Sequence, residues 1–277
     1  MFDYQSHIQS ELQKSDPERY LTCLYLPEEI RHCAMTLYAF DAEIARIPFV
    51  VSEPMPGEIR IQWWRDLIKS GGNAGSGPLA EALLQVTKQS KLPLDVLDNY
   101  LEARIFDLYQ DPMPDIGTYE GYLGETVSSF LNMIALTTGL ERSSNLADAC
   151  GHAGVAMGIS RHLSLCAISR ARGQVFLPLP ILEDSGLTRE QWLEADVRNS
   201  HEAVIIGMAV KARDHLAKAK TAISYLPNEA KSIFLPIIFV DKVLDVIQKN
   251  PSECLLKPVV LSPLKRQWLA FRGVNKL

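Results

Sequence analysis

The residues best suited to chemistry in this chain are cationic. Arg161, His162, Arg170 and Arg172 fall inside a window, Ala149 to Leu182, that contains no Asp or Glu. A guanidinium presents a planar fork of donors that grips phosphate in a bidentate manner without metal. With few carboxylates close in sequence, these arginines are candidate contacts for a phosphate or another anion. The competing reading makes them helix-surface charges, or cations placed against the C-terminal end of a helix dipole. His162 and His152 read more naturally as structural histidines than as bases. Trp63 and Trp64 are adjacent, so a helix turns them in different directions. One then belongs in the core and the other at a helix contact or cavity rim. Glu125 reads as a helix-face charge, available as an ion-pair partner for one of the arginines.

The elements that position these residues are helical throughout. Apolar residues recur at three- and four-residue spacing, and strand-like alternation is scarce. Ser15 and Glu18 form a capping-box pattern that predicts a short helix over Arg19–Leu24. A longer helix is expected from Pro27, in its first turn, to Val51, with Pro48 ending or kinking it near the preceding residue. Further helices are expected over 58–69, 79–90, 93–109, 115–139, 145–169, 200–225 and 228–249. Thr188 and Gln191 cap a short one, and Ser262-Pro263 begins the last. The connector Gly71-Gly72-Asn73-Ala74-Gly75-Ser76-Gly77-Pro78 is too short for a domain linker and lacks the Gly-Lys-Ser/Thr ending of a phosphate loop. Gln174 to Pro180 reads as extended chain. In the terminal segment Ser262–Leu277, Leu264, Trp268 and Phe271 share a stripe among Lys265, Arg266, Arg272 and Lys276, with no acid. Such a helix suits an anionic membrane surface, or docks on the bundle with its charges outward.

Composition narrows the classes. The 277 residues are 47% hydrophobic and 22% charged, an ordinary globular balance with a net charge of −5. That sign argues against a nucleic-acid binder. The five cysteines are scattered without a C-x-x-C pair, which gives no zinc or disulfide framework. The start has neither the apolar core of a signal peptide nor an Arg-rich, acid-poor leader. No stretch reaches the roughly 18 apolar residues of a membrane span. The expected location is cytoplasmic, with peripheral contact at the inner membrane left open. No Ser-His-Asp order, H-E-x-x-H or G-x-G-x-x-G is present to support a hydrolase, zinc peptidase or dinucleotide enzyme.

Three stretches carry a resemblance. Leu37-Tyr38-Ala39-Phe40 resembles the Y-A-F before the first aspartate-rich motif of the squalene/phytoene synthase family. Arg60-Ile61-Gln62-Trp63-Trp64-Arg65-Asp66 resembles the family's R-x-x-W-W segment. Gly173-Gln174-Val175-Phe176-Leu177-Pro178 resembles the G-R-x-Y-L-P that closes its second aspartate-rich motif. Their order and separations fit that family, which implies an all-α isoprenoid-synthase-type bundle around a central cavity, with residues 1–277 as a single domain. It also implies chemistry in which carboxylates on two facing helices hold Mg²⁺ against a departing diphosphate.

At the positions of those carboxylates this chain departs from the family. The three aspartates of the first motif fall on Ala45, Arg46 and Phe49, and two of the second fall on Leu165 and Ser169. The resemblance is closest to a subgroup reading A-F-x-x-E-[IL]-A, matched by Ala39 to Ala45, followed by S-x-x and R-x-Q-x-W-R-D, matched between Ser52 and Asp66. That subgroup includes a mitochondrial assembly factor for respiratory complex I and its alphaproteobacterial relatives. The resemblance thus implies a non-catalytic role in maturing NADH:quinone oxidoreductase, with respiratory-complex subunits as partners. A prenyl diphosphate or anionic lipid is a further expected ligand. Its candidate contacts are Asp41, Arg46, Trp64, Arg65, Arg161, His162, Arg170 and Arg172. No catalytic or metal-binding residue and no cofactor is expected. The alternative is a head-to-head prenyltransferase condensing two prenyl diphosphates, which would have to recruit Asp41, Glu43 or a distant carboxylate for Mg²⁺.

Overall fold

The computed structural model describes residues 4–72, 75–141, 143–194, 196 and 199–274. Asn73 and Ala74 of the glycine-rich connector, and Lys276 of the terminal segment, lie outside the described residues. The first half of the chain forms α1 (Tyr4–Ser15), α2 (Pro17–Cys23), α3 (Glu28–Val50), α4 (Pro54–Ser70), α5 (Pro78–Gln89), α6 (Leu94–Ile105), α7 (Ile116–Leu123) and α8 (Ser129–Thr137). The second half forms α9 (Ser144–Ser164), α10 (Cys166–Ala171), α11 (Leu179–Asp184), α12 (Arg189–Leu193), α13 (Asn199–Ser224), α14 (Asn228–Lys231), α15 (Ile237–Lys249), α16 (Glu253–Leu256) and α17 (Pro263–Val274). Among the described residues the sole β-type contact is an isolated parallel bridge between Met113 and Pro178. It pins the chain leading to Pro178, whereas Leu179 and Pro180, also expected to be extended, open α11, where proline suits the first turn.

Several boundaries differ from the expectation, each for a local reason. The polar stretch Tyr4–Ser15 is a helix that buries only Ile8 and Leu12, too thin a stripe to show as periodicity. Ser15 therefore closes α1, donating to the Glu11 carbonyl at 2.8 Å, and does not cap the next helix. Asp16 does, accepting from the Arg19 amide at 3.0 Å ahead of Pro17. Pro27 is the N-cap of α3 rather than a first-turn residue, and α3 runs two residues past Pro48. The helix expected over 115–139 is α7 and α8 joined by a π-helical turn, Gly124–Ser128. The one expected over 145–169 breaks at Leu165 into α9 and α10. The expected 228–249 helix is divided by a 3₁₀ turn, Ser232–Phe234, and Pro236. The Thr188–Gln191 capping box is present with both reciprocal bonds.

One hydrophobic core runs from Ile8 to Ala270. Its centre is α9 laid along α13, with α9 also pressed against the π turn. Glycines permit that approach. A Cβ at Gly154 would stand 2.5 Å from the Ser128 Cα, and one at Gly158 would stand 2.4 Å from a Leu123 methyl.

The last helix reverses one expectation. Leu269, Ala270 and Gly273 of α17 face the bundle, and Leu264, Trp268 and Phe271 point outward at 80%, 53% and 64% exposure. The helix docks through its small residues because Gly273 sits beneath Ile238 and Leu235, where a Cβ would come within 3 Å. Its apolar stripe is outside, not its charges alone.

Candidate functional site

Asp41 is the hub of the interior. It lies on the inner face of α3 with no solvent exposure. Its Oδ1 accepts from the Tyr100 hydroxyl at 2.9 Å and from Arg104 Nη2 at 2.6 Å. Its Oδ2 accepts from Arg19 and lies 3.8 Å from Arg161 Nη1. Arg104 reaches on to Asp107 Oδ2 at 3.0 Å, and Tyr122 donates to Asp107 Oδ1 at 2.6 Å. Arg19 lies over the Tyr38 ring at 4.7 Å and Arg104 lies 5.3 Å from the Tyr100 ring.

The network is positioned by helix geometry. Tyr100, Arg104 and Asp107 sit at i, i+4 and i+7 across α6 and its 3₁₀ extension, so they share one face. Arg19 comes from the short capped α2 and Arg161 from the last turn of α9. Burial alone would raise the Asp41 carboxyl, but Arg104, Arg19 and Arg161 outweigh it and hold it well below the usual carboxylate range. For Asp107 burial wins, and its carboxyl is raised despite Arg104 and Tyr122.

His162 stands beside this network. Its ring stacks on Phe176 at 4.3 Å with 15° between planes, and its Nδ1 lies 2.9 Å from the Tyr119 hydroxyl. Burial, helped by Arg104 and Arg161, pushes its pKa down to about 3, so the imidazole is neutral near pH 7. An unfolded histidine titrates near 6.5. The folded form therefore resists protonation, and stability from this group is complete above about 6.5 and is lost as pH falls toward 3. The slope is at most about 1.4 kcal/mol per pH unit. Glu18, pushed up to about 7 by burial and by Asp16, titrates in the same window with the opposite sense. The measurement is thus a comparison: urea unfolding of wild type and His162→Phe between pH 7 and 5, where the variant should lose less stability on acidification.

Two cavities border the network. One, about 250 Å³, is lined by Glu18, Arg19, Arg161, Leu165 and aliphatic side chains including Val127 and Val243. The other, about 550 Å³, is lined by Ala45, Phe49, Asp107, Ser169, Arg172 and Gln174 among others. Arg19 and Arg161 face the first and Asp107 the second, so the Asp41 network spans from one to the other.

The eight residues singled out from sequence do not converge. Asp41, Arg161 and His162 lie in or against the network. Arg172 lies at the second cavity, donating to the Pro48 carbonyl and resting on the Phe49 ring at 4.7 Å. Arg170 is removed from any phosphate role, because its guanidinium donates to the Trp192 carbonyl at 2.7 Å, the Leu255 carbonyl at 2.9 Å and the Glu194 carbonyl. Arg46 faces outward and pairs with Glu43 at 3.3 Å, one turn away. Arg65 is held at the surface by both oxygens of Asp98, at 2.7 and 2.9 Å, and by Glu102. Trp64 is core, edge-on to Phe40 at 5.0 Å, whereas Trp63 is 46% exposed. Glu125 is exposed on the π turn. A single cationic pocket built from both motifs is therefore not what the fold makes.

Arg19, Tyr100, Arg104, Asp107 and Tyr122 escaped the sequence reading. The available signal was the Tyr100–Arg104–Asp107 spacing on an otherwise apolar helix face.

Residues 12–266 match the family model described as squalene/phytoene synthase, and the chain belongs to that family. Among its relatives, "NADH dehydrogenase (ubiquinone) complex I, assembly factor 6" of Rattus norvegicus is 30% identical over 240 residues, 86% of this chain and 72% of that protein. The protein of the same name in Homo sapiens is 29% identical over 240 residues, again 86% and 72% of the two chains. The fold is shared with a dehydrosqualene synthase at a TM-score of 0.83 and 14% identity, covering 99% of this chain and 96% of that one. It is also shared with the squalene synthase HpnC from Alicyclobacillus acidocaldarius at a TM-score of 0.75 and 14% identity, covering 92% and 95%.

The family's magnesium can be tested against the residues. At the motif positions, Ala45, Phe49 and Ser169 line the larger cavity and Leu165 the smaller, which supplies one hydroxyl where hard oxygen ligands belong; the larger cavity's carboxylates, Glu53, Asp107 and Asp111, lie outside those positions. Asp41 is saturated by guanidinium and phenol donors, and Asp107 is held by Arg104 and Tyr122. Among the described residues no group of three His, Cys, Asp or Glu is arranged to hold a metal ion. The site does not fit magnesium.

Proposed function

We propose that this chain is an assembly factor for NADH dehydrogenase complex I and uses the synthase scaffold without its metal-dependent condensation. The observation that carries the reading is the similarity, at 24–30% identity over 86–88% of the chain, to relatives that all bear the assembly-factor name. The interior supports it, since arginines neutralise the buried carboxylate on α3 where a synthase would need an exposed ligand set. Losing one strong electrostatic stabiliser typically costs about 10²–10³ in rate, and here a whole cluster is replaced. Its partners on this reading are respiratory-complex subunits.

The test is genetic and biochemical together. Deleting the gene should lower the amount of assembled NADH:quinone oxidoreductase in membranes, with restoration by the wild-type copy. Normal levels in the deletion strain would refute the role. Incubation of pure protein with labelled prenyl diphosphates and Mg²⁺ should give no head-to-head product. Appreciable squalene or phytoene would instead favour the prenyltransferase alternative.

One observation favours an added ligand-binding role at the larger cavity. Gln174 is 8% exposed, and its Nε2 is buried with no hydrogen-bond partner beside Arg172 and Ser169. An orphaned amide of this kind is costly unless a ligand or water completes it. The lining offers the aromatic rings of Phe49, Tyr109 and Phe176 to a prenyl chain and one cation, Arg172, to an anionic headgroup, which would have to seat there away from Glu53, Asp107 and Asp111. Saturable binding of farnesyl diphosphate that Arg172→Ala weakens would support this reading, and identical binding by the two proteins would remove it.

A further inference from the structure

The outer face of α17 and the cavity beside it combine exposed apolar side chains with basic ones. Leu264 is 80% and Trp268 53% exposed, one turn apart on the same stripe, and Val260 just upstream is 70% exposed. Within α17 the charged residues are Lys265, Arg266 and Arg272, with no acid, on a chain whose net charge is −5. The local sign is thus opposite to that of the molecule.

Next to the stripe, α13, α14, α15 and α17 enclose a cavity of about 640 Å³ lined by Lys220, Lys231, Lys242, Arg272 and Trp268, with Asp241 as its one carboxylate. Asp241 is already engaged by Lys220 and by Arg213 at 3.1 Å, and Lys242 pairs with Asp245 at 2.7 Å. Among the described residues no ion pair engages Lys231 or Arg272. Arg272 instead lies 4.7 Å over the Trp268 ring, which places a cation at the edge of the apolar stripe.

We propose that α17 docks this protein on an anionic phospholipid bilayer. Leu264 enters the acyl boundary, Trp268 sits at headgroup level, and Lys231 and Arg272 receive lipid phosphates at the mouth of the cavity. Apolar residues that would be costly in water gain from insertion. Basic residues at the same level gain from the negative surface potential. No described helix is long and apolar enough to cross a membrane, so the contact is peripheral. This proposal stands independently of the assembly role.

The experiment is flotation of full-length protein with phosphatidylcholine vesicles, with and without about one third phosphatidylglycerol, at low salt. Wild type should float with the anionic vesicles and not with pure phosphatidylcholine. Leu264→Glu/Trp268→Glu should lose binding by about a hundredfold. Lys231→Gln and Arg272→Gln should each weaken it about fivefold. Circular dichroism should show these surface variants to be folded. Wild type remaining with the free fraction would overturn the proposal, as would equal flotation of the double variant. A dimer in sedimentation equilibrium that the double variant abolishes, without vesicle binding, would also overturn it and assign the face to a second copy of the chain.

Discussion

Asp41→Asn should lower the unfolding free energy by about 3–5 kcal/mol, because it removes the anion and leaves its guanidinium partners facing one another in the interior. The partners are Arg19 and Arg104, both largely buried, and Arg161, which is partly exposed. Urea unfolding at pH 7 reads the loss as a lower midpoint. A second substitution distinguishes an electrostatic cause from simple damage. Combining Asp41→Asn with Arg19→Met removes a buried cation whose other carboxylate, Asp16, is 3.7 Å away, and should recover part of the loss, giving a coupling energy above about 0.5 kcal/mol. Additive losses would mean that the charges do not constrain one another.

The same carboxylate contributes to the acid stability of the fold. Its pKa is depressed in the folded state, so its contribution is present above the unfolded value near 3.9 and disappears only as pH falls below that. Wild type should therefore lose stability below pH 4 more steeply than Asp41→Asn. The His162 contribution falls at higher pH and is separable from it.

The second large effect is steric. Gly154→Ala should cost about 3 kcal/mol, because its Cβ would stand 2.2 Å from Ser128 Oγ, 2.5 Å from its Cα and 2.6 Å from its backbone nitrogen. Backbone cannot yield as a flexible side chain does, so α9 would have to lift from the π turn. Gly151, one turn earlier on α9, is the control. A Cβ there would meet nothing within 4 Å, and Gly151→Ala should stabilise the helix by about 0.5–1 kcal/mol. Thermal unfolding midpoints should move in opposite directions for the two variants. Matching shifts would contradict the close packing of α9 on Ser128.

Much of this fold could be read from local pattern. The broad apolar stripe of α5 announced it within a residue of both ends, that of α15 fixed its C-terminal end but not its start, and the Thr188–Gln191 cap was explicit. Of the helices that were missed, α1 buries two residues and carries no stripe wide enough to see, and α11 and α16 are six and four residues long, too short for a period to show. The candidate site was less legible because it is assembled at long range. Asp41 meets partners 22, 59 and 63 positions away, and spacing along one helix does not reveal which face meets which. Arg170 illustrates the converse. It occurs in a carboxylate-free window, yet its partners are three carbonyls, which leave no mark in composition. For α17 the stripe was visible and its direction was not, because the docking face is decided by Gly273 fitting beneath Ile238.

Guanidinium groups neutralise the buried carboxylate on α3, and the proposal that this chain works without metal-dependent condensation rests on that arrangement. Titration with Mn²⁺ in the presence of diphosphate, followed by the electron paramagnetic resonance of the free ion, tests it most directly. The free-ion signal should be the same with wild-type protein as with diphosphate alone. Stoichiometric uptake of Mn²⁺ that Asp41→Asn abolishes in a folded protein would contradict it.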